Sequence, residues 1–268
     1  MNKISPNGIF PNVISRRGMM KGLAAGVPLA AVLADPLLAR AAAEKLETVT
    51  IATSDGRRVS GALAMPERTP AASVLLVHEW WGLNDQIRAV AADFAKQGYM
   101  ALALDMYGGQ LAGAGERDAA RALMKAVKPE EGVATVAAWA AWLKEHVKGT
   151  GRLGTVGWCF GGGWSLNTAV HAPVDACVVY YGRVNKKAAE LASLKGPVLG
   201  HFATRDQWIN QQMIDGFEAE MTKAGKPFTT HWYEADHAFA NPTGSRYDKD
   251  DAKLSWKRTT AFFRKHLA

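Results

Sequence analysis

The sequence predicts an α/β fold, with a mostly parallel central sheet and helices on both faces, and three observations predict it. From residue 72 onward, apolar runs of strand length alternate with segments of helical period. The runs at 72–77, 100–104 and 176–181 are apolar throughout rather than on every second residue, as in strands covered on both sides. No stretch rich in Pro, Gly or Ser divides the chain after residue 43, so one domain over 44–268 is expected. Right-handed crossovers between parallel strands then place helices on each face.

Taken in order, two β-rich runs at 47–53 and 58–65 flank Ser54-Asp55-Gly56 and read as a hairpin. A strand at 72–77, a helix at 86–96, a strand at 100–104 and helices at 117–127 and 130–147 follow. Next come a strand at 152–156, a helix after Gly161 and a strand at 176–181. A short helix at 186–192, a strand at 197–203, a helix at 210–223, a strand at 228–233 and a last helix at 250–266 complete the pattern. In such sheets ligands bind at the carboxyl ends of the strands, which is where chemistry is to be sought.

Composition narrows the classes. Hydrophobic residues are 48% and charged residues 21% of the 268, enough apolar material for a large core and against global disorder. The formal charge is +7, but residues 1–41 hold Lys3, Arg16, Arg17, Lys21 and Arg40 against Asp35 alone. The other basic residues are scattered, so no stripe suited to nucleic acid is expected. The amino-terminal stretch has a basic part, an apolar run at 22–34 too short to span a bilayer, and small residues at Ala39, Ala41 and Ala43. Residues 15–21, Ser-Arg-Arg-Gly-Met-Met-Lys, resemble a twin-arginine export signal. Residues 1–43 are therefore expected to be an export signal, cut after Ala41 or Ala43, with export machinery as partner and a periplasmic or secreted enzyme as product. An ordinary export signal that happens to contain two arginines is the alternative.

The two cysteines, Cys159 and Cys177, lie on separate elements and lack the C-x-x-C spacing of a redox pair. Cys177 reads as a small buried thiol in an apolar strand. No His, Cys or carboxylate pair has metal-ligand spacing, and no nucleotide fingerprint follows the first strand, so no metal or cofactor is expected.

Cys159 stands in a different context. Gly157-Trp158-Cys159-Phe160-Gly161-Gly162-Gly163 joins the strand at 152–156 to a helix. This is a G-x-C-x-G elbow, whose sharp turn needs small residues two before and two after the nucleophile. Such a turn exposes the sulfur and aims the Phe160 N–H at an oxyanion forming on an acyl carbon. On its own it also fits a phosphate-binding turn or close helix–strand packing. Two later residues weigh against those readings. Asp206 follows the strand at 197–203, and His237 follows the strand at 228–233, the acid and the base in the chain order of an α/β-hydrolase triad. Each alone has a plain reading, as a helix cap or a surface histidine; the coincidence at successive strand ends is what points to catalysis. The turn after the strand at 72–77, His78-Glu79-Trp80-Trp81-Gly82-Leu83-Asn84, is where the fold supplies its second oxyanion donor, and the Trp80 N–H is the candidate.

Together, H-E-x-x-G-L-N at 78–84, G-x-C-x-G-G at the elbow, Tyr180-Tyr181-Gly182 and D-H-A-F at 236–239 resemble the dienelactone hydrolase family over nearly all of residues 44–268. The resemblance implies the α/β-hydrolase fold and cleavage of a carboxylic ester or lactone through a thioester on Cys159. It also implies a catalytic Glu79 resting against the thiol until substrate displaces it. At the substrate carboxylate this chain departs from the founding enzymes, which hold it with two arginines; Gly108-Gly109 follow Asp105-Met106-Tyr107 here, and Asn241 stands four residues past His237. Trp81, Tyr107, Tyr181, Trp208 and Phe239 are expected to line an apolar pocket instead, or else to serve as packing. A general esterase or thioesterase of the same fold, and a noncatalytic binding protein that keeps it, are the competing readings. The sequence carries no indication of oligomeric state.

Overall fold

A computed structural model describes residues 28–268. The arginine motif at 15–21 and the start of the apolar run at 22 lie outside the described residues. What is described begins with two short helices, α1 (Leu29–Ala34) and α2 (Pro36–Ala43). The Asp35 carboxylate caps α2 by accepting from the Leu37 and Leu38 N–H groups, and Pro36 at the first helical position has no N–H to lose. Val32, Leu33, Ala39 and Ala43 are buried, the first three in the core beside Ile87, Val90 and Phe94. The second half of the stretch read as an export signal thus has a packed place in the fold, a feature the sequence did not suggest.

The strands are β1 (Glu47–Ala52), β2 (Arg58–Ala64), β3 (Ala71–Val77), β4 (Met100–Leu104), β5 (Gly149–Trp158), β6 (Ala176–Tyr180), β7 (Val198–Ala203) and β8 (Phe228–Tyr233). They form one sheet in the order β1-β2-β4-β3-β5-β6-β7-β8. β1 and β2 make the expected hairpin and join β4 antiparallel; the strands from β4 to β8 in that order pair parallel. The remaining helices are α3 (Asp85–Lys96), α4 (Arg117–Ala126), α5 (Pro129–Glu145), α6 (Phe160–His171), α7 (Ala188–Leu191), α8 (Gln211–Lys223) and α9 (Lys249–His266).

Alternation along the strands divides the core in two. Val74, Leu76, Val156, Val178 and Leu199 face α1, α2, α3 and α9, while Leu75, Val77, Leu102, Val179 and Val198 face α5, α6, α7 and α8. Both faces being covered is why these strands read as continuous apolar runs. The α/β-hydrolase expectation holds in strand content, order of elements and single-domain build. Among the described residues no helix is long and apolar enough to cross a membrane.

Candidate active site

The elbow forms where β5 ends and α6 begins. Cys159 takes φ 54° and ψ −116°, a conformation costing a residue with a Cβ about 1–3 kcal/mol. The cost is offset by close backbone packing around it. A Cβ on Gly161 would run into the carbonyl oxygens of Val77 and His78, and one on Gly162 would lie 2.7 Å from the Tyr180 oxygen. The glycines therefore allow α6 to start flush against β3 and β6. Among the described residues the non-glycine positive φ values are those of Cys159, Tyr181 and Ala238, all at this one edge of the sheet. Strain confined to one place is the mark of a working site.

Asp206 and His237 meet there from the ends of β7 and β8. The His237 Nδ1 lies 2.6 Å from the Asp206 Oδ2, with the carboxylate fully buried. The other carboxylate oxygen accepts from the Trp208 and Ile209 N–H groups at 2.9 and 3.1 Å, so Asp206 offers the imidazole a single fixed acceptor. The Thr204 N–H donates to the Tyr233 oxygen and the Arg205 N–H to the Ala235 oxygen, lacing the two loops together beyond the strand ends. Burial pulls the His237 pKa down, but hydrogen bonds to Asp206 and then Cys159 outweigh it and hold the group up at about 10. Sulfur, imidazole and carboxylate therefore come together at this edge of the sheet.

Cys159 is half-buried and Cys177 is buried, both as free thiols. Burial pushes the Cys177 thiol up to about 11, which leaves it inert beside the Ser165 hydroxyl. The Phe160 N–H opens α6 and has no intrahelical acceptor by geometry. Trp80 sits in the turn closed by the Gly82 N–H on the Glu79 oxygen, and its own N–H meets no backbone acceptor among the described residues. His78, fully buried, pins this turn: its Nδ1 bonds the Glu79 oxygen and its Nε2 accepts from the Met106 N–H at 3.1 Å. Burial drives the His78 pKa down to about 4, so the ring is neutral and able to accept.

Glu79, implied to rest against the thiol, takes its side-chain hydrogen bonds from other groups: the Tyr181 hydroxyl at 3.4 Å and the Asn241 side-chain amide. A buried carboxylate is better served by an amide and a phenol than by a weak S–H donor. Burial raises its pKa, against the lowering charge of His237 and the two hydrogen bonds.

The aromatic residues divide by exposure. Trp208 is 57% exposed, its ring edge-on to His237 at 5.2 Å. Trp81 is half-buried against Trp80. Tyr107 packs on His78 and Phe160 and lines the smaller of two cavities at the 105–110 loop, while Tyr181 and Phe239 have no solvent exposure, Tyr181 packing on the imidazole and Phe239 on Tyr181, so these two are support rather than open lining. Two cavities of about 230 and 590 Å³ lie around the 105–110 loop, sharing Arg57, Met106 and Thr135, and neither touches Cys159 or His237. Among the described residues no cluster of His, Cys, Asp or Glu could hold a metal.

Two residues at the site have no signal in the sequence. Asn241 reads there only as a missing arginine, yet it holds Glu79. Arg246 lies with its guanidinium 5.5 Å from the Trp208 ring centroid, its charge reaches Glu79, and it makes no ion pair among the described residues.

The dienelactone hydrolase family model matches residues 59–267. The carboxymethylenebutenolidase of Pseudomonas putida is 28% identical over 229 residues, covering 81% of this chain and 95% of the relative. Among solved structures, a dienelactone hydrolase-like promiscuous phosphotriesterase from metagenomic libraries superposes with a TM-score of 0.73 at 22% identity, over 83% of this chain and 99% of the other. A thermophilic esterase from Thermogutta terrifontis gives a TM-score of 0.62 at 17% identity, over 84% and 97%; both likenesses bear on the fold. With the elbow, the Asp206–His237 contact and the match over most of its length in agreement, this chain belongs to the dienelactone hydrolase family and is an ester or lactone hydrolase.

Proposed function

We propose that the chain cleaves a carboxylic ester or lactone through a thioester formed on Cys159, with His237 and Asp206 as the acid–base pair. The observation that carries this reading is the 2.6 Å contact of His237 with Asp206 at the same strand ends as the strained Cys159 elbow. With the Cys159 thiol proton held on His237 Nε2, the sulfur forms a bond to the acyl carbon, and the carbonyl electron pair moves onto oxygen, where the Phe160 and Trp80 N–H groups hold it. Collapse breaks the C–O bond, and the leaving alkoxide takes the Nε2 proton of His237. The neutral imidazole then draws a proton from water, whose oxygen attacks the thioester and expels the sulfur. Asp206 keeps the Nδ1 proton in place throughout. A lactone keeps its leaving oxygen tethered to the acyl group, which suits this two-step path better than an amide does. Intact-mass measurement across a small panel of esters and lactones is expected to show an acyl adduct on the wild type and none on Cys159→Ala. Turnover by Cys159→Ala at the wild-type rate would end this reading.

Arg246 gives the substrate a feature. A cation held over Trp208, one ring from His237, suits an anionic substituent on the acyl portion. Arg246→Ala is expected to raise KM about tenfold for a carboxylate-bearing ester while leaving a neutral ester of equal size unchanged. Equal changes for both esters would remove this assignment.

The order of basic, apolar and small residues before position 44 supports export as the setting of the reaction. Fractionated cells are expected to hold the wild type outside the cytoplasm and an Arg16→Lys, Arg17→Lys variant inside it. Identical distributions would exclude a twin-arginine route.

A further inference from the structure

Behind the site lies a buried polar cluster that the chemistry above leaves without a task. His201 of β7 has no solvent exposure; its Nδ1 is 2.8 Å from the Tyr233 hydroxyl of β8 and its Nε2 is 3.0 Å from the Thr259 hydroxyl of α9. The chain of contacts continues at both ends. The Thr259 oxygen is 2.7 Å from the Tyr180 hydroxyl of β6, and an Arg258 nitrogen donates to the Tyr233 hydroxyl at 3.0 Å.

A guanidinium can only donate, so the Tyr233 oxygen accepts from Arg258, and a neutral His201 imidazole meets the two hydroxyls with one nitrogen as donor and the other as acceptor. Burial, with the charges of His231 and Arg258, presses the His201 pKa well below its ordinary value, so the ring stays neutral as this arrangement requires.

Placement gives the cluster its meaning. His201 is in the strand that ends toward Asp206, Tyr233 closes the strand that ends toward His237, and Tyr180 precedes Tyr181, which reaches Glu79. β8 is the last strand of the sheet and pairs with β7 alone. A strand held on one side only is free to shear, and the 2.6 Å contact between Asp206 and His237 spans that one seam. The Tyr233 ring also leads to the site by packing, 4.8 Å from Phe239, which is 5.4 Å from Tyr181, itself 5.2 Å from His237. We infer that His201, clasped between Tyr233 and Thr259, is a positioning residue for the reaction: through α9 it fixes edge strand β8 against β7 and so keeps His237 on Asp206. This inference rests on the reading of Asp206 and His237 as the acid–base pair. Directional hydrogen bonds suit the task because they define one setting of the strands, whereas apolar packing tolerates several.

The test uses Tyr233→Phe and Thr259→Val, which keep shape and remove one hydroxyl each, in the full enzyme, assayed well below their melting temperatures. Both are expected to lower kcat about tenfold with KM within about twofold, and to shift or broaden the low-field NMR resonance of the His237 Nδ1 proton. Phe263→Leu, which loosens α9 without touching the polar cluster, is expected to lower the melting temperature while leaving kcat and that resonance as in the wild type. Tyr233→Phe and Thr259→Val proteins with wild-type kcat and an unmoved resonance would overturn the inference. Failure of the underlying reading shows separately, as a His237→Ala enzyme that keeps its activity, and the response of the resonance to Tyr233→Phe then still decides whether the clasp sets the seam.

Discussion

Replacing His237 with alanine is expected to lower kcat/KM toward esters or lactones by about 10³- to 10⁴-fold, and combining it with Cys159→Ala is expected to add little. The near-equality of single and double variants follows from the shared task. On the proposed mechanism, without the imidazole no group returns a proton to the leaving alkoxide or activates water, and without the sulfur there is no acyl-enzyme for the imidazole to act on. Kinetics of the three proteins on one substrate check this; multiplicative losses would show that the two groups act independently. The same substitution reads out in stability. The folded pKa of His237 stands at about 10, above the ordinary 6.5, so its protonated form favours the fold. That contribution is complete below about pH 6.5 and is lost as pH rises through about 10. The stability gap between wild type and His237→Ala should therefore close over that window in a series of denaturant titrations, and a gap that stays constant would contradict the assignment.

Gly161→Ala is expected to keep the chain from folding. Its Cβ would be driven into the carbonyl oxygens of Val77 and His78, backbone atoms at the end of a strand paired on both sides. Ordinary overpacking in a core costs about 1–3 kcal/mol because side chains can shift. Here the neighbour is backbone, and retreat would break the ladder of β3 with β4 and β5, so the loss should exceed about 4 kcal/mol out of the 5–15 kcal/mol that hold a typical domain. Gly216→Ala is the control: the site lies inside α8 with nothing within 4 Å, and the substitution should stabilise by about 0.5–1 kcal/mol. Denaturant midpoints and soluble yield measure both. A Gly161→Ala protein with a wild-type midpoint would mean that the elbow is looser than its packing implies.

Much of this molecule is legible along the chain because its determinants are local. The apolar runs that became β3, β4 and β6 needed no partner to be recognised, and the glycines of 157–163 announce a sharp turn whatever packs against it. Asp206 and His237 could be singled out because each follows its own strand. What escaped depends on pairings between distant segments. Asn241 meets Glu79 across 162 positions, and His201 meets Thr259 across 58, contacts that no periodicity encodes. The exposure of the aromatic residues likewise depends on the assembled fold, which seals Tyr181 and Phe239 and leaves Trp208 in solvent. The packing of α1 and α2 escaped for another reason, since an apolar run followed by alanines suits a leader and a packed helix pair equally well.

On the export reading proposed above, that helix pair makes maturation a race. A leader-cutting protease grips its substrate as an extended ribbon, yet Ala39 and Ala43 are wound into α2 and turned inward. A chain that crosses the membrane already folded would present the cutting enzyme with a closed clasp, and one cut early would leave the α3 flank beside Val32 and Leu33 bare to water. The order of folding and trimming, rather than the scissile residues alone, would then decide which amino terminus the finished enzyme carries.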